Sequence, residues 1–178
     1  MFEFFHELDV FVLQTINHSF HNFYTDLLAF NLSYMGVIYF WVIVMILLYL
    51  FGGQKAKSVA KRMFIVLVLV VIVSVLLKEL ILRPRPYTQL TGLIVLDPQM
   101  DYSFPSGHTI IATSMSYVLA KEYNKYILMI IPVIVALTRL YMGVHYPSDV
   151  MGGFLIGLII AYLVERYINN TKRIREKL

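Results

Sequence analysis

The sequence predicts an all-α fold: a polytopic bundle of about five membrane-crossing helices, with an amphipathic N-terminal segment at the membrane interface. Three observations carry this. The chain is 59% hydrophobic and only 15% charged, with a mean hydropathy of +0.72, whereas a soluble domain carries about 25% charged residues. Its apolar residues fall in runs of the length that crosses a bilayer as a helix, about 20 residues. Those runs are closed by Gly52-Gly53 and Pro84 and separated by short loops rich in Lys and Arg. At 178 residues the chain suits a single domain. Within it, 1–32 reads as the interfacial segment, 33–168 as the transmembrane core and 169–178 as a basic tail.

Taken in order, Asp9 to Asn31 is apolar but interrupted by Gln14, Asn17, His18, His21, Asn22 and Asp26. That many polar groups are costly in a lipid-facing span, so one or two interfacial amphipathic helices are expected. The alternative is a sixth span packed inside the bundle. The first span is expected over Ser33–Phe51 and the second over Met63–Leu82. The third runs from Ser106 to Tyr123, built around the short apolar stretch Thr109–Ala120. The fourth, Tyr126–Val144, contains Pro132, expected to kink it, since membrane helices tolerate proline. The fifth runs from Ser148 to Tyr167, where Gly152, Gly153 and Gly157 allow close helix contact.

Basic residues set the orientation. Lys55, Lys57, Lys61 and Arg62 precede the second span, Lys121 and Lys125 follow the third, and Lys172, Arg173, Arg175 and Lys177 close the sequence. Five spans place all three clusters on one side, which the positive-inside rule makes cytoplasmic. The net charge of +4 and pI near 9.2 therefore reflect membrane edges, and no nucleic-acid partner is implied. There are no cysteines, so no disulfide or thiolate metal site is available. The N-terminus lacks a basic region ahead of an apolar run, and no cleavable signal is expected.

Three segments distant in sequence reach the opposite, outer side. Lys78 and Arg85-Pro86 end the second span, Pro105-Ser106-Gly107-His108 opens the third, and Arg139, His145 and Asp149 join the fourth to the fifth. Lys78, Arg85 and Arg139 bring three cations together. Ser106 sits as an N-cap followed by Gly107, so free N–H groups and a positive helix end point the same way. Arg supplies forked donors that match phosphate oxygens, and the natural guest is a tetrahedral anion. A neutral histidine can attack phosphorus if a partner fixes its tautomer, and Asp149 lies four residues after His145. His108 titrates in the right range to protonate a leaving oxygen.

With these motifs the sequence resembles the type 2 phosphatidic acid phosphatase superfamily, which shares its site with vanadium haloperoxidases. The family pattern is Lys, six residues, Arg-Pro; then Pro-Ser-Gly-His; then Ser-Arg, five residues, His, three residues, Asp. Lys78, Arg85-Pro86, Pro105–His108, Arg139, His145 and Asp149 match it, and Thr138 stands where Ser is usual. The resemblance implies a membrane lipid phosphatase that needs no metal or cofactor. His145 would be the nucleophile, Asp149 its orienter and His108 the general acid. Lys78, Arg85, Ser106, Gly107 and Arg139 would hold the phosphate. It also implies a lipid substrate with a phosphate or pyrophosphate headgroup, at the outer face of a bacterial membrane. Undecaprenyl pyrophosphate and lipid A phosphate lead, ahead of phosphatidylglycerol phosphate and phosphatidic acid.

Other readings carry less. A lipid transporter would also want a cationic pocket, but five spans without an inverted repeat suit one poorly. A lipid phosphotransferase differs only in its acceptor. Zinc held by His108, His145 and Asp149 would be repelled by the nearby cations. Arg83 is expected to pair with Glu79, one turn back. His6 matches no motif, and His18 with His21 reads as interfacial. The loop from Tyr87 to Ser103 offers no recognisable headgroup-binding module.

Overall fold

The computed structural model describes residues 2–175. Eight α-helices follow one another among them: α1 (Phe2–Asn17), α2 (Phe23–Ser33), α3 (Ile38–Phe51), α4 (Gln54–Ile81), α5 (Pro86–Gln89), α6 (Gly107–Tyr123), α7 (Ile130–Tyr141) and α8 (Pro147–Arg175). No strand occurs among the described residues. The expected all-helical bundle is therefore what forms. Helices α4 and α8 are long and apolar enough to cross a bilayer, and α2 with α3 makes up a third such length, bent by 57°.

Several boundaries differ from the sequence expectation. The first span does not run unbroken from Ser33: a 3₁₀ turn at Tyr34–Gly36 and an extended Val37 separate α2 from the 14-residue α3. Helix α4 begins at Gln54, so its basic residues are helical. Pro132 does not kink a span. It lies in the first turn of α7, after a 3₁₀ turn at Tyr126–Met129, where the missing N–H has no intrahelical partner to lose. The N-terminal segment forms two helices, but its polar residues are not all turned to an interface. Asp9 and Asn17 are buried, and the Asn17 amide bonds Ile94 and the Tyr141 carbonyl.

Helix α6 is the axis of the bundle. Thr109, Thr113, Ser114 and Ser116 are buried with Ile110 and Met115, which explains why its apolar stretch is so short: protein, not lipid, surrounds it. Thr113 and Ser114 donate to carbonyls of their own helix, so these hydroxyls are satisfied without water. Trp41, Met63, Val66 and Val70 of α3 and α4 complete the core. Against α8 the approach is close: a Cβ on Gly157 would lie 2.6 Å from the Ile110 carbonyl, and one on Gly153 2.8 Å from that of Ser106. These two glycines allow backbone contact, as the sequence suggested, whereas Gly152 makes room for the Phe104 ring of the loop before α6.

At one end of the bundle Lys55, Arg62 and Lys121 gather on Glu122 and Glu165. The third basic cluster is not comparable, since Lys177 and the side chains of Lys172, Arg173 and Arg175 lie outside what is described. At the other end α4 stops, α6 starts and α7 turns into α8. Leu82 takes a left-handed conformation (φ 54°) that closes α4, Pro84 keeps that helix from resuming, and Pro86 opens the short α5 as its first residue.

Candidate active site

The turn after α7 places His145 and the first turn of α8 places Asp149. Both are buried, and His145 Nδ1 lies 3.4 Å from the Asp149 carboxylate. On the other face of the ring, Arg85 Nη1 is 3.1 Å from Nε2. A guanidinium can only donate, so Nε2 is the accepting, unprotonated nitrogen and the ring proton sits on Nδ1, toward Asp149. Burial pushes the imidazole down to about 3, against the pull of Asp149 and with the help of Arg85 and Arg139. The ring is thus neutral at ordinary pH, with a lone pair on Nε2.

The His145 ring borders a cavity of about 450 Å³. Five of the eight residues expected from sequence line it: Lys78, Arg85, Gly107, His108 and His145. The other three stand behind them. Asp149 backs His145. Ser106 is fully buried at the N-cap of α6, where its hydroxyl makes no capping bond and accepts from Thr109 Oγ1 at 3.1 Å. Arg139, also fully buried, donates from Nη1 to Ser33 Oγ at 2.8 Å and Asp97 at 3.2 Å. Its Nε and Nη2 have no partner among the described residues. His108 stands between this cavity and a smaller one of about 260 Å³ reached by Ser33 and Asp97. Its position is fixed by Gly36, where a Cβ would come within 2.6 Å of His108 Cβ.

The sequence reading missed the groups that hold these cations. Asp101 pairs with Lys78 at 3.1 Å and with Arg85, and the carbonyls of Asp101 and Tyr102 accept from Arg85 and Lys78. Burial raises the Asp101 carboxyl, but Lys78 and Arg85 outweigh it and hold it below the ordinary range. Ser103 donates to Asp149. All three belong to the loop before α6, and no motif marks them. Thr138 donates to the Val135 carbonyl in its own helix, so its hydroxyl is spent inside α7. Arg83 does not pair with Glu79. It reaches Asp9 at 2.7 Å and Asp149 at 2.6 Å instead, because the chain leaves the helix at Leu82 and carries Arg83 over the bundle end. Among the described residues no group of three or more His, Cys, Asp or Glu is arranged to hold a metal. His21 bonds Asp26 and stacks on Tyr141.

Fold and site together define a membrane-type helical bundle with a His–Asp pair set among buried cations at one end. The chain belongs to the PAP2 superfamily, whose profile matches residues 59–173. The undecaprenyl-diphosphatase of Sulfolobus acidocaldarius is 33% identical over 136 residues, covering 74% of this chain and 65% of that relative. The phosphatidylglycerophosphatase B of Bacillus subtilis is 36% identical over 114 residues, covering 57% of this chain and 54% of the relative. The chain thus spans a little over half to about two thirds of these relatives' length. The crystal structure of Aquifex aeolicus LpxE superposes with a TM-score of 0.80 at 30% identity, covering 90% of this chain and 96% of that one. With its apolar helices, the chain is an integral membrane protein.

Proposed function

We propose that the chain is a lipid phosphatase that works through a phosphohistidine on His145. The observation that carries this is the fixed tautomer: a neutral imidazole, its Nε2 toward Arg85, at the border of a cavity ringed by Lys78 and Arg85. A phosphate seated there takes donors from Lys78, Arg85, Arg139 and the α6 N-terminus, where Gly107 leaves the backbone open. Nε2 attacks phosphorus as the bond to the leaving oxygen breaks, and His108 gives that oxygen its proton. The ring gains positive charge, which Asp149 offsets across Nδ1–H. Water then attacks the phosphohistidine, gives its proton to His108, and inorganic phosphate leaves with His145 neutral again. Fixed cations take the electrostatic role a metal plays elsewhere.

The leading substrate is undecaprenyl diphosphate, supported by the relative of that activity. A lipid A phosphate and phosphatidylglycerol phosphate are the alternatives, the second supported by the Bacillus relative. The reading places five spans in a bacterial cell membrane with the site on the extracytoplasmic side. The gathering of Lys55, Arg62 and Lys121 at the opposite end supports that orientation. A cysteine introduced at Gln89 should therefore react with an impermeant thiol reagent on intact cells, and one at Ser58 should not. Labelling at Ser58 alone would invert the topology.

The roles of the two histidines separate by leaving group. His145→Ala should show neither turnover nor a covalent phosphoenzyme. General acid catalysis is worth about 10²–10⁴-fold, so His108→Ala should lose that much on a lipid phosphate and distinctly less on p-nitrophenyl phosphate, whose leaving group needs no proton. Equal losses on both substrates would remove His108 from the acid role. Phosphate trapped on His108 would remove His145 from the nucleophile's.

A further inference from the structure

Asp149 carries more bonds than an orienting carboxylate needs to hold one histidine. Oδ2 accepts from Ser103 Oγ and from the Tyr146 N–H at 2.8 Å, and faces His145 Nδ1. Oδ1 accepts from Arg83 Nη1 at 2.6 Å. Arg83 is itself clamped. Its Nη1 also donates to Ser148 Oγ at 2.6 Å, its Nη2 donates to Asp9 at 2.7 Å, and its guanidinium lies 4.2 Å above the Tyr146 ring. The other Asp9 oxygen accepts from the Ser148 N–H at 2.9 Å, in the first turn of α8 beside Asp149. A carboxylate at that place also meets the positive end of α8.

We propose that Arg83 and Asp9 are positioning residues for the reaction: Asp9, on α1, fixes Arg83 and the first turn of α8, and Arg83 fixes the Asp149 carboxylate that orients His145. The inference rests on His145 acting as nucleophile. Neither residue belongs to the motifs of the site, and α1 lies outside the matched stretch 59–173. The proposal gives the N-terminal helix a part in catalysis. The geometry separates the two arginines of the Arg-Pro-Arg-Pro segment. Residues two apart on an extended chain share a face, and the pair brackets the His–Asp dyad, Arg85 on His145 and Arg83 on Asp149. Arg85 also lines the cavity, whereas Arg83 does not. Arg83 therefore acts on the attacking nitrogen only through Asp149, and its removal should slow the attack without weakening the hold on phosphate.

The test uses Arg83→Gln, Arg83→Lys, Asp9→Asn and the Asp9→Asn/Arg83→Gln double variant, with p-nitrophenyl phosphate in detergent. Removing outer-shell partners of metal-bound histidines costs about 10–100-fold in activity, and a group one step behind a nucleophile's carboxylate is expected to act on that scale. Arg83→Gln should lose that much in kcat and in the rate of phosphoenzyme formation, with KM and vanadate inhibition unchanged. Arg83→Lys should recover part of the loss, because it keeps the charge without the fork. Asp9→Asn should lose less, and the double variant should fall short of the combined single losses, since Asp9 acts in part through Arg83. Rates are taken per folded molecule from thermal unfolding, and should Arg83→Gln not fold, Asp9→Asn carries the test. Full kcat in Arg83→Gln, a loss confined to KM, or additive losses in the double variant would each overturn the proposal. His145→Ala in the same assay keeps the two readings apart. If it turns over, the nucleophile assignment has failed; if it is dead while Arg83→Gln and Asp9→Asn run at full rate, only the positioning role has.

Discussion

Both ends of the bundle bury an arginine, and they treat it differently. At one end Arg62 meets Glu165 through Nη1 and Glu122 through Nη2, with only Nε unpaired among the described residues. Both carboxylates sit on long helices, and the Glu165 side chain is 1% exposed. At the other end Arg139 uses a single terminal nitrogen, leaving two donors unpaired. Its counter-ion Asp97 comes from a loop and is 31% exposed at the side chain; Asp101, on the same loop, pairs with Lys78 and Arg85 and is 52% exposed. The number of charges does not distinguish the two regions. What differs is whether the partners are fixed on helices, one of them fully buried, or borne on a loop that water can reach. A dry, doubly paired arginine is a structural clasp across α4, α6 and α8. On the proposed function, an arginine with open donors and a loop-borne partner exchanges that partner for a phosphate.

The sharpest way to break this comparison is to make the same substitution at both ends. Removing one partner of a buried ion pair costs about 3–5 kcal/mol because a charge is left uncompensated. Arg62→Met should lower the unfolding midpoint by that equivalent while turnover per folded molecule holds. Arg139→Met should instead lose about 10²–10³-fold in turnover, the range seen when a preorganised donor to a developing anion is deleted, with little change in midpoint. If both variants lose stability alike and activity alike, the two ends do not differ in kind.

A smaller effect sharpens the comparison on the wet side alone. Asp101 holds Lys78 and Arg85 while no phosphate is present, so it competes with the substrate. Asp101→Asn should lower KM and the inhibitory concentration of vanadate by a modest factor, since a half-exposed ion pair is worth about 1 kcal/mol or less. The result is read by titrating both ligands against wild type. A raised KM would show that Asp101 arranges the cations for phosphate and does not compete with it.

Most of the candidate site was legible because its signals are local. A cation inside an apolar run, a Pro-Ser-Gly-His at a helix start, and a His four residues before an Asp keep their meaning whatever surrounds them. The structure brought all eight such residues to one end of the bundle. The pairing of Arg83 was misjudged for the same reason, because the one-turn rule selects Glu79, while its partners Asp9 and Asp149 lie 74 and 66 residues away. Asp97, Asp101 and Ser103 went unnoticed in a loop with no periodicity and no motif. Asn17 looked like an interfacial polar group and proved to be a buried tie between α1, the loop and the end of α7.

The sequence by itself determined the class of fold, the approximate helices and the residues that gather at one end of the bundle, since hydropathy, helix capping and motif spacing act between near neighbours. The tertiary structure alone decided which carboxylate each arginine holds, which nitrogen of His145 meets Arg85, and that the N-terminal helix reaches Asp149 through Arg83. Those choices rest on the partner of a buried charge, and packing selects that partner from the whole chain.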